Sequence, residues 1–430
     1  MKKELFLLFT TLALSACTDD SGVNPKHESE TVTVGWRSAG FTPVISTQRG
    51  GGLQKVTHSS NWLVLMDAWT SPVEEQPDTW TTLTYSPRLF ISKIGTDVWD
   101  TLVPPTSAYV KRLYADTAGI YVGTYASEVF EYNPNTKKWQ NLNVKQPDDT
   151  LWHHIYGIQK FNGRLIVSMV GFAESLGYHA KILLQNDTGW QKLPVPRIRA
   201  ERFKEHVVYD ESKMIPLYFI ETTELGGNLY VGTADGVWKL DGTSLSWTEL
   251  PKFPKMMWNS KYHDVYEVED LITYKGSLVA VDGTNARIYQ WDGANNWVAL
   301  DSMITPPYVT AYGDTSHSIY RSSLFRIMNV VTDGKRLFIS GKGPNVNHCP
   351  KVYMGDYGEP YGNVPKGWRA MMLGWCDDKG CVTRDATYGL DVVGDTIYAA
   401  AWEGLFKMPL SDLDSAISGQ SDFKGFEKYQ

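Results

Sequence analysis

Hydrophobic and polar positions repeat in a fixed order seven times between residues 61 and 410. Each unit has an apolar run, a turn, a second apolar run and a turn rich in Gly, Asn and Asp, and it usually ends at a Trp. The clearest copies are residues 117–142, 226–250 and 275–300. The apolar runs are β-branched and aromatic and are bounded by turn residues, which is typical of strands. The pattern predicts an all-β protein built from repeated sheets.

Three predicted strands recur in each unit after its first strand. The second strands are residues 62–66, 120–123, 164–169, 229–232, 277–281, 336–341 and 396–400. The third strands are residues 88–92, 129–132, 181–184, 237–240, 287–291, 351–355 and 405–408. The fourth strands are marked by Trp99, Trp139, Trp190, Trp247, Trp297 and Trp368.

A repeat of roughly 40 to 50 residues with about four strands is typical of the blades of a β-propeller. The seventh unit ends at Leu410 without a Trp-marked strand, whereas Gly35 and Trp36 near the beginning of the chain have the form of one. A strand at 31–40 would complete that sheet and remove an open edge that favours aggregation. We therefore predict a seven-bladed β-propeller in which the N-terminal strand closes the last blade.

Two short motifs resemble known propeller repeats. VFEYNPNTKKWQNL at 129–142 is similar to the end of a Kelch repeat, and LYVGTADGVWKLDG at 229–242 resembles the propeller of two-component-regulator sensors. Gly-Thr replaces the paired glycines of a Kelch blade at 123–124 and 232–233. WDGANNW at 291–297 resembles the sialidase Asp box, but the other units lack it and the sialidase arginines cannot be assigned. These resemblances imply a fold and do not imply a function.

The first seventeen residues have the features of a targeting segment. Lys2 and Lys3 precede an apolar stretch at 5–14, and Leu-Ser-Ala-Cys follows at 14–17. This arrangement resembles the bacterial lipoprotein signal, in which the cysteine, here Cys17, is acylated and becomes the N-terminus. Two or three acyl chains anchor a protein durably. The alternative is an ordinary secretory signal in which Cys17 is incidental.

The remaining chain divides into three parts. We expect a polar tether at 18–30, the propeller at 31–410 and a C-terminal tail at 411–430. No other run reaches the roughly twenty apolar residues needed to span a bilayer. We expect a lipid-anchored protein of the bacterial outer membrane. Thr18 resembles sorting to that membrane, and Asp19-Asp20 resembles a surface-export signal, so both the periplasmic and the surface orientation stay open.

Composition and charge exclude one class of partner. The 430 residues include 16 Trp and 24 Tyr, which suits a sheet-rich fold. The formal net charge is −7 and becomes −8 when the first sixteen residues, with Lys2, Lys3 and Glu4, are removed. No basic tract is present, so we expect no nucleic-acid partner.

Three cysteines follow Cys17. In an oxidising compartment, Cys376 and Cys381 close a short loop with Gly380 at its turn, which predicts a disulfide. Cys349 would then be unpaired, and its pairing with either of the others is the alternative. Three thiols without a suitably spaced His fall short of a zinc site, so we expect no metal and no cofactor.

Unequal link lengths indicate a functional face. Links between second and third strands, and links from one blade to the next, emerge on the same face of a propeller. The long insertions fall almost wholly in this class: 67–87, 170–179, 194–215, 251–265, 301–322, 342–350 and 372–385. Residues 356–366 are the exception. Long loops on a rigid scaffold commonly bind a ligand.

Aromatic and ionisable residues populate these insertions. The candidates for a ligand-binding face are Trp69, Trp80, Tyr85, Phe172, Tyr178, His179, Trp258, Tyr262, His263, Tyr308, Tyr312, Trp375 and Trp402. Flat rings with polar groups between them suit sugars or extended peptides. The alternative for any single residue is that it packs one loop against another.

The function expected from these features is binding. We predict a noncatalytic, lipid-anchored envelope protein whose long-loop face recognises a glycan, a peptide or a partner protein. A polysaccharide hydrolase or lyase and an outer-membrane assembly factor are the alternatives. An enzyme needs several ionisable groups that converge at the channel mouth. The sequence assigns no catalytic residue, since neighbours such as His153 and His154 point to opposite faces of a strand.

Overall fold

The computed structural model describes most of the repeated region. The described residues are 36–41, 53–67, 88–144, 154–173, 177–199, 214–254, 268–282, 287–300, 326–342, 351–355, 368–372, 376–377, 380–381, 387–401 and 404–417. Strands dominate them, and the predicted all-β class is confirmed.

The strands lie close to the apolar runs of the sequence. In the first half they are β1 (Arg37–Ser38), β2 (Leu53–Ser59), β3 (Trp62–Asp67), β4 (Leu89–Lys93), β5 (Trp99–Leu102), β6 (Val110–Ala115), β7 (Ile120–Thr124), β8 (Val129–Asn133), β9 (Lys138–Asn141), β10 (His154–Phe161), β11 (Arg164–Ala173), β12 (Gly177–Asn186), β13 (Gly189–Leu193), β14 (Arg197–Arg199) and β15 (Met214–Pro216).

The second half continues the same order. Its elements are β16 (Phe219–Leu225), β17 (Asn228–Thr233), β18 (Gly236–Leu240), β19 (Trp247–Glu249), β20 (Val268–Tyr274), β21 (Ser277–Asp282), β22 (Arg287–Trp291), β23 (Trp297–Ala299), β24 (Arg326–Thr332), β25 (Leu337–Lys342), β26 (Lys351–Gly355), β27 (Trp368–Met372), β28 (Cys376–Asp377), β29 (Gly380–Cys381), β30 (Thr387–Val393), β31 (Thr396–Ala401), β32 (Gly404–Pro409) and the helix α1 (Leu410–Ile417).

Antiparallel sheets of four strands are the repeated unit. Six blades consist of four consecutive strands: β2–β5, β6–β9, β10–β13, β16–β19, β20–β23 and β24–β27. The predicted number of seven such blades is therefore wrong. The last sheet differs from the six blades because β30–β32 supply only three consecutive strands. The two-residue β1 lies beside β32, with Arg37 opposite Lys407 and Ser38 opposite Phe406. Two-stranded ribbons are formed by β14 with β15 and by β28 with β29.

The first strand of each sheet lies beside the first strands of its neighbours. The contacts run in the order β2, β6, β10, β16, β20, β24 and β30, and β30 contacts β2 again. The sheets are therefore arranged around an axis with their first strands innermost. This is the arrangement of a β-propeller.

Apolar side chains fill the spaces between neighbouring sheets. Phe161 and Ile182 of one blade pack with Phe219, Val231 and other residues of the next. The last sheet and the first blade share a core of the same kind, in which Tyr398 and Leu405 pack with Leu53 and Leu65. Strands buried on both faces explain why their sequences read as continuous apolar runs.

Each predicted Trp lies within the first two residues of an outer strand, as the repeats indicate. The indole N–H of Trp190, Trp247 and Trp297 donates to a carbonyl oxygen just beyond the outer strand of the preceding sheet. The acceptors are Leu142 (2.9 Å), Pro194 (2.8 Å) and Pro251 (2.8 Å). A partly buried indole N–H needs such a partner. The recurring Trp therefore joins one blade to the next.

The chain beyond residue 410 begins with a helix. Leu410 and Leu413 are buried against Met408, and Asp414 pairs with Arg336 at 2.6 Å. Leu413 and Asp414 of the predicted tail thus contact the propeller. Among the described residues, no helix has the length and hydrophobicity to cross a membrane.

Candidate functional site

The strand order fixes which links share a face. In an antiparallel sheet, the start of the first strand and the link from second to third strand lie at the same end. We call this end the mouth face. The described parts of the links that contain the long insertions lie on it.

A β-bulge interrupts every described innermost strand near the mouth face. Pairing with the second strand shifts between Leu53 and Lys55, Val110 and Arg112, Ile155 and Gly157, Phe219 and Thr222, Val268 and Asp270, Ile327 and Asn329, and Thr387 and Gly389. A bulge leaves a residue outside the ladder and changes the direction of its side chain. Bulges in this position therefore direct side chains at the axis.

Charged and polar side chains occupy the third position of these strands, counted from the residue before the bulge. They are Lys55, Arg112, Glu221, Asp270 and Asn329, and glycine occupies the same position at 157 and 389. The two cations belong to neighbouring blades, and the two acids belong to blades further round the ring. We call these five residues the channel ring.

Two of the five residues of the channel ring, Asp270 and Asn329, join blades together. The carboxylate of Asp270 accepts hydrogen bonds from Leu271 N (2.8 Å), Val330 N (2.6 Å) and Asn329 Nδ2 (2.6 Å). Asn329 Oδ1 accepts from Leu390 N at 2.7 Å. Burial first, and then the nearby Glu221 carboxylate, raise the pKa of Asp270 to about 7 against the opposing effect of these N–H donors. Asp270 and Asn329 are therefore structural links.

Glu221 has a different environment. Its Oε1 lies 3.7 Å from Lys55 Nζ and 3.5 Å from Arg112 Nη1. Both distances exceed those of a tight charged hydrogen bond, about 2.7 to 2.9 Å. The Arg112 Nε donates to the carbonyl oxygen of Tyr156. The two cations thus face one loosely held carboxylate.

An aromatic row lies on the mouth face beside the channel ring. We define it as Tyr109, Tyr125, His154, Tyr156 and Tyr218, contributed by three successive blades. Ring centroids are separated by 5.1 Å, 4.2 Å, 6.4 Å and 4.6 Å along this order. All five residues are partly exposed. The row provides aromatic surface continuous with the channel.

Lys111, the bulge residue of β6, lies between two rings of this row. Its Nζ is 5.6 Å from the centroid of Tyr125 and 5.1 Å from that of Tyr156. Contacts of this kind stabilise an ammonium group by about 0.5 to 2 kcal/mol. Burial, followed by the neighbouring Arg112, lowers the pKa of Lys111. Burial also raises the pKa of Tyr125 and Tyr156.

Three predicted ligand-binding residues fall among the described strands. Phe172 and Tyr178 lie opposite each other on β11 and β12, and His179 lies next to Tyr178 at the mouth end of β12. His179 Nε2 is buried and has no hydrogen-bond partner within the described part of the chain. The other candidates lie outside the described residues: Trp69, Trp80, Tyr85, Trp258, Tyr262, His263, Tyr308, Tyr312, Trp375 and Trp402.

The predicted cysteine sites are described only in part. Cys376 and Cys381 occupy opposite positions of the ribbon β28–β29. Cys17 and Cys349 lie outside the described residues. Over the described ranges, no cluster of three or more His, Cys, Asp or Glu side chains could hold a metal ion.

The aromatic row apart from His154, Lys111 and the channel ring were not predicted from the sequence. These residues follow short links or begin strands, whereas the predicted ligand-binding residues all lie in the long insertions or beside them. A signal was present. LQKV, VKRL, VEDL and IMNV, at 53–56, 110–113, 268–271 and 327–330, place two residues between apolar positions instead of one. That break in alternation is typical of a bulge.

Comparison with known proteins establishes the fold alone. No protein-family model matches the chain, and no curated protein matches it. A streptogramin B lyase structure is similar with a TM-score of 0.52 and 12% identity, over 86% of this chain and 96% of that one. The chain has the β-propeller fold.

Two further structures show the same likeness. An inactive virginiamycin B lyase from Staphylococcus aureus has a TM-score of 0.51 and 11% identity, over 87% of this chain and 98% of that one. YCF48 from Cyanidioschyzon merolae has a TM-score of 0.50 and 11% identity, over 88% and 100%. At such identity a shared propeller carries no shared activity.

Proposed function

We propose that this propeller is a noncatalytic binding protein whose ligand lies on the mouth face. The observation that carries the proposal is the aromatic row, which extends across three blades and has Lys111 between two of its rings. Ligand sites combine aromatic surface with a few polar groups that fix orientation. The proposed ligand classes are a glycan, a peptide or an envelope protein.

Binding is favoured over catalysis by the state of the channel ring. A general acid or base must reach the substrate and exchange a proton with it. Asp270 is enclosed by three N–H donors, and Glu221 lies between two cations. These contacts engage both acids with groups of the protein itself.

The proposed location is the bacterial envelope, with the protein anchored through acylated Cys17 and a tether at 18–30. Metabolic labelling with an alkyne fatty acid tests the anchor. Incorporation that is lost in Cys17→Ser and retained in Cys349→Ser supports it. Labelling that persists in Cys17→Ser overturns it.

We also propose that β1 is the closing outer strand of the last sheet. Ala39 N donates to Leu405 O at 2.9 Å, as Leu142 N donates to Val129 O at 2.9 Å and Leu250 N to Val237 O at 3.0 Å. In each case, residues just after an outer strand bond to the third strand of the same sheet. The N-terminal segment therefore makes the contacts of an outer strand in the sheet of β30–β32.

A binding array with glycans and envelope proteins, probed with a soluble form that begins at residue 18, tests the function. Tyr125→Ala should weaken the strongest interaction. Tyr114→Ala is the matched control, since Tyr114 is a partly buried tyrosine at the opposite end of β6. Loss of binding in Tyr114→Ala with unchanged binding in Tyr125→Ala would place the ligand on the face opposite the mouth face. Turnover of an array glycan would establish the hydrolase or lyase alternative instead.

A further inference from the structure

We infer that the ligand of the mouth face is an acidic glycan, whose anionic group binds Lys111 and Arg112 while its sugar rings lie on the aromatic row. This inference rests on the proposed binding function and specifies its ligand class. Three features of the described residues carry it: the environment of Lys111, the arrangement of the channel ring and the Tyr and His rings of the aromatic row.

Lys111 is a lysine without a carboxylate partner in the described part of the chain. Its ammonium contacts the faces of Tyr125 and Tyr156. The acid of the neighbouring link, Glu128, accepts a hydrogen bond from Thr106 Oγ1 at 2.8 Å. A partly buried cation is more stable beside a counter-ion. An anion arriving from the mouth would supply one.

The channel ring contains two further cations, Arg112 and Lys55. Arg112 follows Lys111 directly in β6, and Lys55 belongs to the neighbouring blade. Their shared partner, Glu221, is reached only at 3.5 Å and 3.7 Å. Lys55 and Arg112 thus face the Glu221 carboxylate, and Lys55 also interacts electrostatically with Asp270 and Asp391. In a protein of net charge −7, Lys55, Lys111 and Arg112 form a local concentration of positive charge that would attract an anion.

The row favours a sugar over a peptide. Peptides are often held by strand addition at a sheet edge, with side chains in apolar pockets. Strand addition uses the backbone groups of an edge strand, whereas the surface described here consists of aromatic side chains. The row consists of Tyr and His, whose rings stack on flat apolar faces and whose polar atoms meet hydroxyl groups. These are the requirements of a carbohydrate.

Isothermal titration calorimetry on the soluble form tests the inference. The probes are hexagalacturonate, its methyl ester, a sulfated oligosaccharide and an acidic hexapeptide. Hexagalacturonate should bind, and the uncharged ester should bind about tenfold more weakly, which is the effect of losing roughly one charged contact. Binding of the sulfated sugar, with the same dependence on Lys111, also supports an anionic-sugar site and identifies sulfate as an acceptable group.

Variants test whether Lys111 binds the anionic group of the sugar. Lys111→Met keeps the length of the side chain and should weaken hexagalacturonate binding about tenfold, with Lys111→Arg restoring most of it. Lys138→Met, at an exposed lysine on the outer strand β9, is the matched control and should bind normally. Glu221→Gln should strengthen binding, because an internal competitor for Arg112 is removed. Added NaCl should weaken binding of the charged probe to the wild-type protein.

Specific outcomes overturn the inference and leave the proposed function standing. These are equal binding of the ester and the acid, unchanged binding in Lys111→Met, or binding of the acidic peptide alone. Absence of binding by all four probes, in a protein whose array ligand still depends on Tyr125, has the same meaning. The proposed function itself fails when Tyr125→Ala leaves every interaction unchanged.

Discussion

The indole Nε1 of Trp99 donates a hydrogen bond to the carbonyl oxygen of Ala39, 3.0 Å away. Trp190 makes the same bond to Leu142, which follows the outer strand of the preceding blade. Phe41, two residues after Ala39, packs against Trp99 with 5.4 Å between ring centroids. Phe253, two residues after Pro251, packs against Trp297 at 5.0 Å. The segment around Ala39 thus has the same relation to the first blade that one blade has to the next.

A double-mutant comparison tests this relation. Trp99→Phe and Trp190→Phe should each lower the free energy of unfolding by about 1 kcal/mol, because each loses one hydrogen bond. In a chain that begins at residue 42, Trp190→Phe should still lower the free energy of unfolding by the same amount, whereas Trp99→Phe should no longer lower it. Urea unfolding measures both. An undiminished cost of Trp99→Phe in the shortened chain contradicts the proposed closure.

The stability of the contact between the first blade and the last sheet should depend on pH. His58 Nδ1 lies 2.7 Å from Asp391 Oδ2, and this hydrogen bond, opposed by burial, raises the pKa of His58 above 6.5. The stabilisation is therefore fully present below about pH 6.5 and is lost as pH rises through the folded-state pKa. Burial raises the pKa of Asp391, which acts in the same direction. His58→Gln should flatten the pH dependence of thermal unfolding, and an unchanged slope contradicts the assignment.

Gly157 should not tolerate a methyl group. A Cβ at this position would overlap the ring of Phe219 and lie 2.8 Å from its carbonyl oxygen. Since both groups belong to packed strands, Gly157→Ala should cost about 1 to 3 kcal/mol of unfolding free energy. Gly119→Ala is the control, because its Cβ would meet chiefly the movable end of Glu131. Equal stability of the two variants in thermal unfolding would show that β10 and β16 can separate at little cost.

Asn329 should contribute more to the free energy of unfolding than a surface amide does. Its side chain joins Asp270 to Leu390 N, with hydrogen bonds of 2.6 Å and 2.7 Å. Asn329→Ala leaves buried polar groups with fewer partners, and the expected loss is about 1 to 3 kcal/mol in urea unfolding. Asn228→Ala, at the partly buried first residue of β17, is the comparison and should cost less, because its partners Gly226 O and Gly242 N lie in turns. The reverse order would contradict the role of Asn329 between blades.

Local pattern predicts the strands well and the site poorly. Each predicted Trp strand is found because a Trp near the start of the outer strand, such as Trp297, recurs from blade to blade and bonds to the preceding sheet. The pairing of His58 with Asp391 spans 333 residues and leaves no local trace. The strand β1 beside β32 has only two paired residues, Arg37 and Ser38, and periodicity cannot delimit so short a strand. The aromatic row forms only when three blades are brought side by side, so no single repeat contains its pattern.

The recurring bulges separate two tasks within the innermost strands. Residues such as Val56 and Leu113, one step beyond the channel ring, fill the space between sheets, where Val56 is 2% and Leu113 is 1% exposed. Lys55 and Arg112 beside them face the axis and carry little of that packing. Substitutions confined to Lys55 and Arg112 would consequently change the groups that face the axis while the packing between sheets is kept, which makes these two positions, unlike Gly157 and Asn329, the natural choice for a library that redirects the protein to a new target.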